Sequence, residues 1–319
     1  MRYFLDLIDK SLNESEAGST TDLSRRRFLI CSTALSCGIA LGIFPEDGIA
    51  APSSDTGFRL ERKIERYIGA QRGAGRIRRD ERTAWSIYDF RMGKKLVSIN
   101  EDIPFQSASM IKPFIALAYF YKVTENKRRY HYDRKHRAIM EAMIRRSSNV
   151  ATNHIMNLIA RKPRDVERIL KANAPGVFKQ ISIVEKIPVN GRTYRNKASA
   201  HDYSRFLYGL WYDKFPFSRE LKNLMHLPNK DRIYHGAESI PRTTRVYDKT
   251  GTTARLCGNM GILEARGRDG RSYPYTFIGI IQKSTRARQY SSWMRSRGNV
   301  IREVSNIVYT DLKGVHNLV

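Results

Sequence analysis

Candidate β-strands occur only near the two ends of the stretch from residue 58 to the C-terminus, and candidate helices separate them. Residues 83–89 and 95–99 predict a hairpin near the start. Residues 245–248, 259–264 and 273–281 predict three more strands near the end, the last two joined by an Asp-Gly turn. A sheet built from both chain ends, with helices inserted between them, predicts an α+β or three-layer fold.

Apolar residues at helical spacing predict the helices that lie around and between these strands. The predicted helices span residues 58–71, 109–121, 136–143, 150–159, 165–172, 201–212, 218–225 and 287–309. No repeat or low-complexity linker interrupts residues 51–319, so these residues are expected to form one domain.

Residues 1–50 have the three parts of an export signal. Ser24-Arg25-Arg26-Arg27-Phe28-Leu29 is followed by a 17-residue apolar stretch, 28–44, and then by small residues. The basic motif resembles the twin-arginine signal, which implies contact with the export machinery and a periplasmic location. Cleavage is expected after Ala50, with Ala51 as the alternative. An uncleaved segment would be a membrane anchor of the minimum spanning length.

The charge of the chain predicts anionic neighbours. Its 319 residues include 57 Lys+Arg and 31 Asp+Glu, for a net charge of +26. Residues 1–50 hold five basic and seven acidic residues, so their removal raises the net charge to +28. An exported protein of this charge is expected to meet the anionic envelope surface rather than nucleic acid. A mean hydropathy of -0.50 excludes a polytopic membrane protein.

Ser109-Met110-Ile111-Lys112 is the one Ser-x-x-Lys sequence in the chain, and it begins an apolar helix. Residues i and i+3 share a helix face, so the lysine amine can reach the hydroxyl. A serine becomes a strong nucleophile when a neighbouring base takes its proton, and a desolvated lysine can be that base. The apolar residues after Lys112 predict its burial. Ser109 is therefore the candidate nucleophile and Lys112 its base.

Two further segments carry polar groups at the ends of predicted elements. Ser147 and Asn149 precede a helix, and they offer a hydroxyl for proton relay and an amide for a substrate carbonyl. Lys249 and Thr250 follow the 245–248 strand, where a cation and a hydroxyl can bind a carboxylate. Gly251 lets a substrate backbone approach closely. The histidines lack metal-ligand spacing, and neither a metal nor a cofactor is predicted.

The ordered set Ser-x-x-Lys, Ser-x-Asn and Lys-Thr-Gly resembles the class A β-lactamase and penicillin-binding protein superfamily over about residues 84–309. The resemblance implies a helical lobe on an antiparallel sheet flanked by helices. It implies acylation of Ser109, activation by Lys112, proton relay through Ser147 and substrate orientation by Asn149.

The same resemblance assigns the other residues of the site. Lys249 and Thr250 would bind the substrate carboxylate, and the backbone N–H groups of Ser109 and Thr252 would form the oxyanion hole. The family's Glu-x-x-Leu-Asn element is absent as such. Glu185, about three dozen residues after Ser147, is the candidate base for deacylation.

The resemblance implies an exported serine acyl-hydrolase that opens β-lactam rings. A D-alanyl-D-alanine peptidase or esterase with slow deacylation, acting on a peptidoglycan peptide, is the second hypothesis. A basic, non-catalytic protein that binds the envelope is the third.

Overall fold

Both ends of the chain contribute strands to one five-stranded antiparallel sheet, in the order β2-β1-β7-β6-β5. The computed structural model describes residues 55–188 and 195–319, so the export segment at 1–50 lies outside the described residues. The main sheet consists of β1 (Glu81–Asp89), β2 (Lys94–Ile99), β5 (Arg245–Thr253), β6 (Leu256–Arg266) and β7 (Ser272–Lys283). A small second sheet pairs β3 (Phe105–Gln106) with β4 (Lys197–Ala198).

Eight α-helices lie within the described residues, and six of them stand between β3 and β5 in the sequence. They are α1 (Asp55–Gly73), α2 (Lys112–Glu125), α3 (Arg134–Ile144), α4 (Asn149–Ile159), α5 (Pro163–Asn173), α6 (Ala200–Trp211), α7 (Ser218–Met225) and α8 (Tyr290–His316). Within 55–188 and 195–319, none of the helices has both the length and the apolar character that crossing a bilayer requires.

The sheet has a hydrophobic core on each face. Along β7, Phe277 and Ile281 face the core formed with α1 and α8, whereas Ile278 and Ile280 face the core of the helical lobe. This alternation follows from the two-residue period of a strand. The sheet is therefore the middle of three layers, and the predicted α+β fold with an inserted helical lobe is confirmed.

Helix α2 crosses the middle of the helical lobe. Nine consecutive residues, from Lys112 to Phe120, are buried. An apolar helix that is buried on all sides needs surrounding elements, and α2 packs against α3, α4 and α5. The first residue of this helix is the lysine of the Ser-x-x-Lys motif, so packing of the lobe also buries a functional amine.

Two expectations about local structure were wrong. Ser109 does not open the α-helix but lies in a 3-10 turn (Ala108–Ile111) that leads into it. The strand predicted to end at Asp248 continues to Thr253, because Gly251 and Thr252 pair with Gly258 and Cys257 of β6.

Candidate active site

The turn that carries Ser109 contains backbone strain. Ala108, directly before Ser109, has a φ of +46°, and Ser147 of the second motif has a φ of +57°. Side chains disfavour this left-handed region, and such residues persist where the surrounding structure holds them, often at functional sites. Two of the strained non-glycine residues thus belong to or border the two predicted serine motifs.

Glycines let this turn pack directly on the sheet. A Cβ at Gly251 would lie 2.8 Å from Met110 Cγ and 3.2 Å from the Ser107 carbonyl oxygen. A Cβ at Gly258 would lie 2.7 Å from Met110 Cε. The Met110 side chain therefore fits into a space that glycine alone leaves on β5 and β6. This contact places the turn that carries Ser109 beside β5, the edge strand of the sheet.

Lys112 is fully buried, and its amine connects two of the predicted motifs. Its Nζ lies 2.5 Å from the Ser147 carbonyl oxygen, 3.1 Å from Ser147 Oγ and 3.0 Å from Asn149 Oδ1. Burial, together with repulsion from Lys249, lowers the Lys112 pKa to about 6. At neutral pH the amine is therefore mostly uncharged and has a lone pair that can accept a proton.

The Ser147–Asn149 segment connects α3 to α4. Ser148 caps α4, since its hydroxyl accepts the Ala151 backbone N–H at 3.2 Å. Asn149 accepts from Lys112 through Oδ1 and donates through Nδ2 to the Pro188 carbonyl oxygen at 3.2 Å. The helix cap thus fixes the segment, and the segment fixes the amine of Lys112.

The Lys249 side chain is buried, and two charged neighbours change the pKa of its amine. Burial lowers its pKa to about 8, Arg232 lowers it as well, and Asp248 opposes both effects. Lys249 is consequently still mostly cationic at pH 7. Its Nζ lies 3.4 Å from Thr250 Oγ1, so the cation and hydroxyl predicted to bind a carboxylate are adjacent.

Two contributors to this region were not predicted from the sequence. The Arg232 guanidinium donates to Thr252 Oγ1 at 2.9 Å and to the Gly258 carbonyl oxygen at 3.1 Å, which brings another cation to β5. Asp248 is buried near Asp231, and this raises its pKa to about 6. Arg232 precedes Lys249 by seventeen residues in a segment without helix or strand, where no sequence motif marks it.

The loop between α5 and α6 approaches the site through Ile187 and Pro188. The Ile187 backbone exchanges two hydrogen bonds with Asn153, at 2.6 and 2.9 Å, and Pro188 accepts the bond from Asn149. The Ile187 side chain is buried. Residues 189–194 lie outside the described residues.

Glu185 lies two residues before this anchor point. Its Oε1 accepts the Arg195 backbone N–H at 2.9 Å, and its Oε2 is 3.5 Å from Arg195 Nε. These contacts join the Glu185 carboxylate to the far end of the same loop. Its role as the deacylation base stays a prediction.

Two groups of potential metal ligands occur in the described part of the chain, and neither includes a residue of the three motifs. One comprises His131, Asp133 and His136 at the surface. The other comprises Glu101, Asp102 and His201, where the ammonium of Lys95 already lies 2.6 Å from Glu101.

The fold resembles that of several solved structures. PBP-A is 17% identical, with a TM-score of 0.60, and the match covers 82% of this chain and 97% of that one. TLA-1 extended spectrum beta-lactamase is 16% identical, with a TM-score of 0.63 and coverage of 81% and 99%. A class A beta-lactamase from Bacteroides cellulosilyticus DSM 14838 is 15% identical, with a TM-score of 0.61 and coverage of 80% and 99%.

No curated protein matches the chain by sequence. Residues 59–311 match the model of the beta-lactamase enzyme family, which covers most of the chain. The structural likeness extends over nearly the full length of the compared proteins. The buried Lys112 amine contacts Ser147 and Asn149 of the second motif, and the charge of Lys249, in the third motif, lowers its pKa. The chain therefore belongs to the beta-lactamase enzyme family and is a serine hydrolase of that type.

Proposed function

We propose that this protein is an exported serine acyl-hydrolase that opens β-lactam rings through an acyl-enzyme at Ser109. The observation that carries the proposal is the buried Lys112, three residues after Ser109, with a pKa of about 6 and contacts to Ser147 and Asn149. An uncharged amine at this place is a general base that needs no histidine.

In the proposed acylation, Lys112 takes the proton of the Ser109 hydroxyl while Oγ attacks the β-lactam carbonyl carbon. The backbone N–H groups of Ser109 and Thr252 hold the resulting oxyanion. When the carbonyl–nitrogen bond breaks, the leaving nitrogen receives a proton through the Ser147 hydroxyl, which the Lys112 ammonium replenishes. The 3.1 Å separation of Lys112 Nζ and Ser147 Oγ supports this relay.

The substrate carboxylate would bind beside β5, to Lys249, Thr250 and Arg232. Burial strengthens such an interaction, because the charges are poorly screened by water. Arg232 adds a planar group that suits carboxylates. The substrate would lie along the edge of β5, the last strand of the sheet. The sequence-based expectation that Gly251 makes room for the substrate is wrong, because Met110 fills the space at this glycine.

We further propose that the acyl-enzyme is hydrolysed slowly, as in the penicillin-binding alternative. The loop reaches the site through the buried Ile187 and the Pro188 carbonyl, while the Glu185 carboxylate contacts Arg195. One similar structure is an acyl-enzyme complex of a PBP-A variant with penicillin G, at 17% identity. Peptidoglycan peptides are then an alternative substrate.

Covalent labelling by a fluorescent penicillin tests the proposal. Ser109→Ala should abolish labelling, because it removes the atom that is acylated. Ser107→Ala is the matched control, since among the described residues its buried hydroxyl makes no hydrogen bond. Labelling that persists in Ser109→Ala would show that Ser109 is not the acylated residue. Absent labelling of the unmodified protein, with salt-dependent binding to envelope polymers, would favour the non-catalytic hypothesis.

The export proposal is supported by the sequence of residues 1–50 alone. Cleavage near Ala50 would release the protein into the periplasm, where β-lactams and peptidoglycan peptides are accessible. N-terminal sequencing of the protein recovered from its native envelope tests this location.

A further inference from the structure

A basic cavity lies next to the carboxylate-binding end of the active site. Its volume is about 310 Å³, and its lining includes Lys230, Arg232, Arg295 and Arg302. Within the part of the chain that the structure describes, none of its lining residues is acidic. Arg232 belongs to both sites, because its guanidinium also donates to Thr252 Oγ1 on β5.

Two of the guanidinium groups are held close together. A Cβ at Gly298, on α8, would lie 3.3 Å from Arg302 Nη1 and 3.6 Å from Arg232 Nε. The Arg232 and Arg302 side chains therefore both pack against α8 at Gly298, which has no side chain of its own. Like charges repel at this separation, and a bound anion would relieve the repulsion.

Other bonds fix the two arginines without neutralising them. Arg302 donates to the His235 carbonyl oxygen at 2.7 Å and to Asn299 Oδ1 at 3.0 Å. Arg232 donates to neutral oxygens as well. The adjacent carboxylate in sequence, Asp231, is buried and accepts three backbone N–H groups from residues 233–235.

The first turn of α8 adds further donors to the cavity wall. Tyr290 and Ser291 line the cavity at the start of this 27-residue helix. Gln289, the N-cap residue, provides no side-chain capping bond. Backbone N–H groups at a helix start lack partners within the helix and favour an anion.

We propose that this cavity binds a second anionic group of the substrate, so that the preferred acyl donors carry an additional carboxylate or phosphate near the first carboxylate. Lys249, Thr250 and Arg232 suffice for one carboxylate. Lys230, Arg295 and Arg302 then remain as lining cations for a further anion, at the end of the site that Arg232 shares. This inference rests on the proposed function.

Inorganic pyrophosphate is the binding probe, titrated calorimetrically against the full chain at constant ionic strength. Arg295→Gln should weaken pyrophosphate binding by about tenfold, the value of one charge-assisted hydrogen bond. Arg268→Gln is the matched control, because it removes an exposed cation at the distant turn between β6 and β7. Equal affinities in the two variants would overturn the proposal.

A second measurement connects the cavity to the substrate. A matched pair of cephalosporins differs by one carboxylate on the substituent beside the ring carboxylate. The unmodified protein should be acylated faster by the dicarboxylate, and pyrophosphate or Arg295→Gln should remove this preference. Pyrophosphate binding without any effect on the preference would overturn the substrate assignment in favour of a free anion.

The failure of this inference is distinguishable from failure of the proposed function. Pyrophosphate binding and its dependence on Arg295 are measured without acylation. A protein that no β-lactam acylates would contradict the proposed function and the substrate assignment together. A protein that is acylated but ignores both pyrophosphate and the additional carboxylate would contradict this inference alone.

Discussion

The ammonium form of Lys112 is disfavoured in two ways. Its burial removes the water that would solvate a charge, and the nearby Lys249 repels it. Lys249 is also buried, but Asp248 supports its charge and its pKa falls only to about 8. The two lysines consequently differ in charge near pH 7, so one can accept a proton while the other binds an anion.

These pKa values predict a bell-shaped pH dependence of acylation. The rate constant should rise as Lys112 loses its proton through about pH 6, and fall as Lys249 loses its charge through about pH 8. Stopped-flow acylation by a penicillin measures the profile. Lys249→Gln should shift the acidic limb of the profile to higher pH. The substitution removes the charge that repels the Lys112 ammonium, so the pKa of Lys112 rises. A rate that keeps rising to the ordinary pKa of lysine would contradict this account.

Glu185→Gln separates the two views of deacylation. Under the proposed slow deacylation we expect steady-state hydrolysis to change by less than about twofold, because the Glu185 carboxylate contacts Arg195. Burst kinetics with a chromogenic β-lactam measure acylation and turnover together. A variant that acylates normally and then stalls would instead identify Glu185 as the base for the deacylating water.

At the level of single residues, the sequence identifies the candidate site residues that lie within short motifs. It does not identify the residues that the fold brings to the site from elsewhere in the chain. Ser109 and Lys112 are three positions apart, and helical spacing is the reason to predict that they act together. The contacts of the Lys112 amine with Ser147 and Asn149 join residues 35 and 37 positions apart. The Arg232 contact with Thr252 depends on how a loop folds over a strand, which spacing does not reveal. The proximity of Asp231 and Asp248 has the same origin.

At the level of elements, the junction between the 3-10 turn and β5 determines the position of Ser109, the proposed nucleophile. Gly251 looks like a turn residue in the sequence, and this explains why the strand was predicted to end too early. In the structure it is a strand residue whose missing side chain admits Met110. The helices were predictable from periodicity. The two-residue strands β3 and β4 form because segments far apart in the sequence pair with each other, and no local sequence pattern predicts them.

Gly251→Ala tests this junction. The new Cβ would meet Met110 Cγ at 2.8 Å and the Ser107 carbonyl oxygen at 3.2 Å, so the turn must shift. We expect a loss of about 1–3 kcal/mol in the free energy of unfolding and acylation slowed by about tenfold or more.

Gly69→Ala is the matched control for this substitution. Its Cβ would meet nothing within 4 Å on helix α1, so it should be neutral or stabilise by up to about 1 kcal/mol. Thermal unfolding and penicillin labelling provide the two readouts. Equal behaviour of the two variants would contradict the positioning role of the glycine.

At the level of the whole molecule, the split of the strands between the two chain ends predicts the sheet and the inserted lobe. The strand order, with β7 between β1 and β6, depends on long-range packing. The excess of positive charge predicts attraction to the envelope. In the structure, four of these cations line one cavity beside the candidate active site, so part of the positive charge is concentrated there.

The central claim is that Ser109 carries a covalent, slowly hydrolysed acyl group. Intact-protein mass spectrometry after mixing with penicillin, followed by peptide mapping, tests it most directly. We expect one adduct of the full penicillin mass on the peptide that contains Ser109, persisting after free penicillin is removed. An unmodified Ser109 peptide would contradict the account. If the penicillin were hydrolysed, the slow deacylation would be wrong, and if the penicillin were intact, the acylation of Ser109 would be wrong.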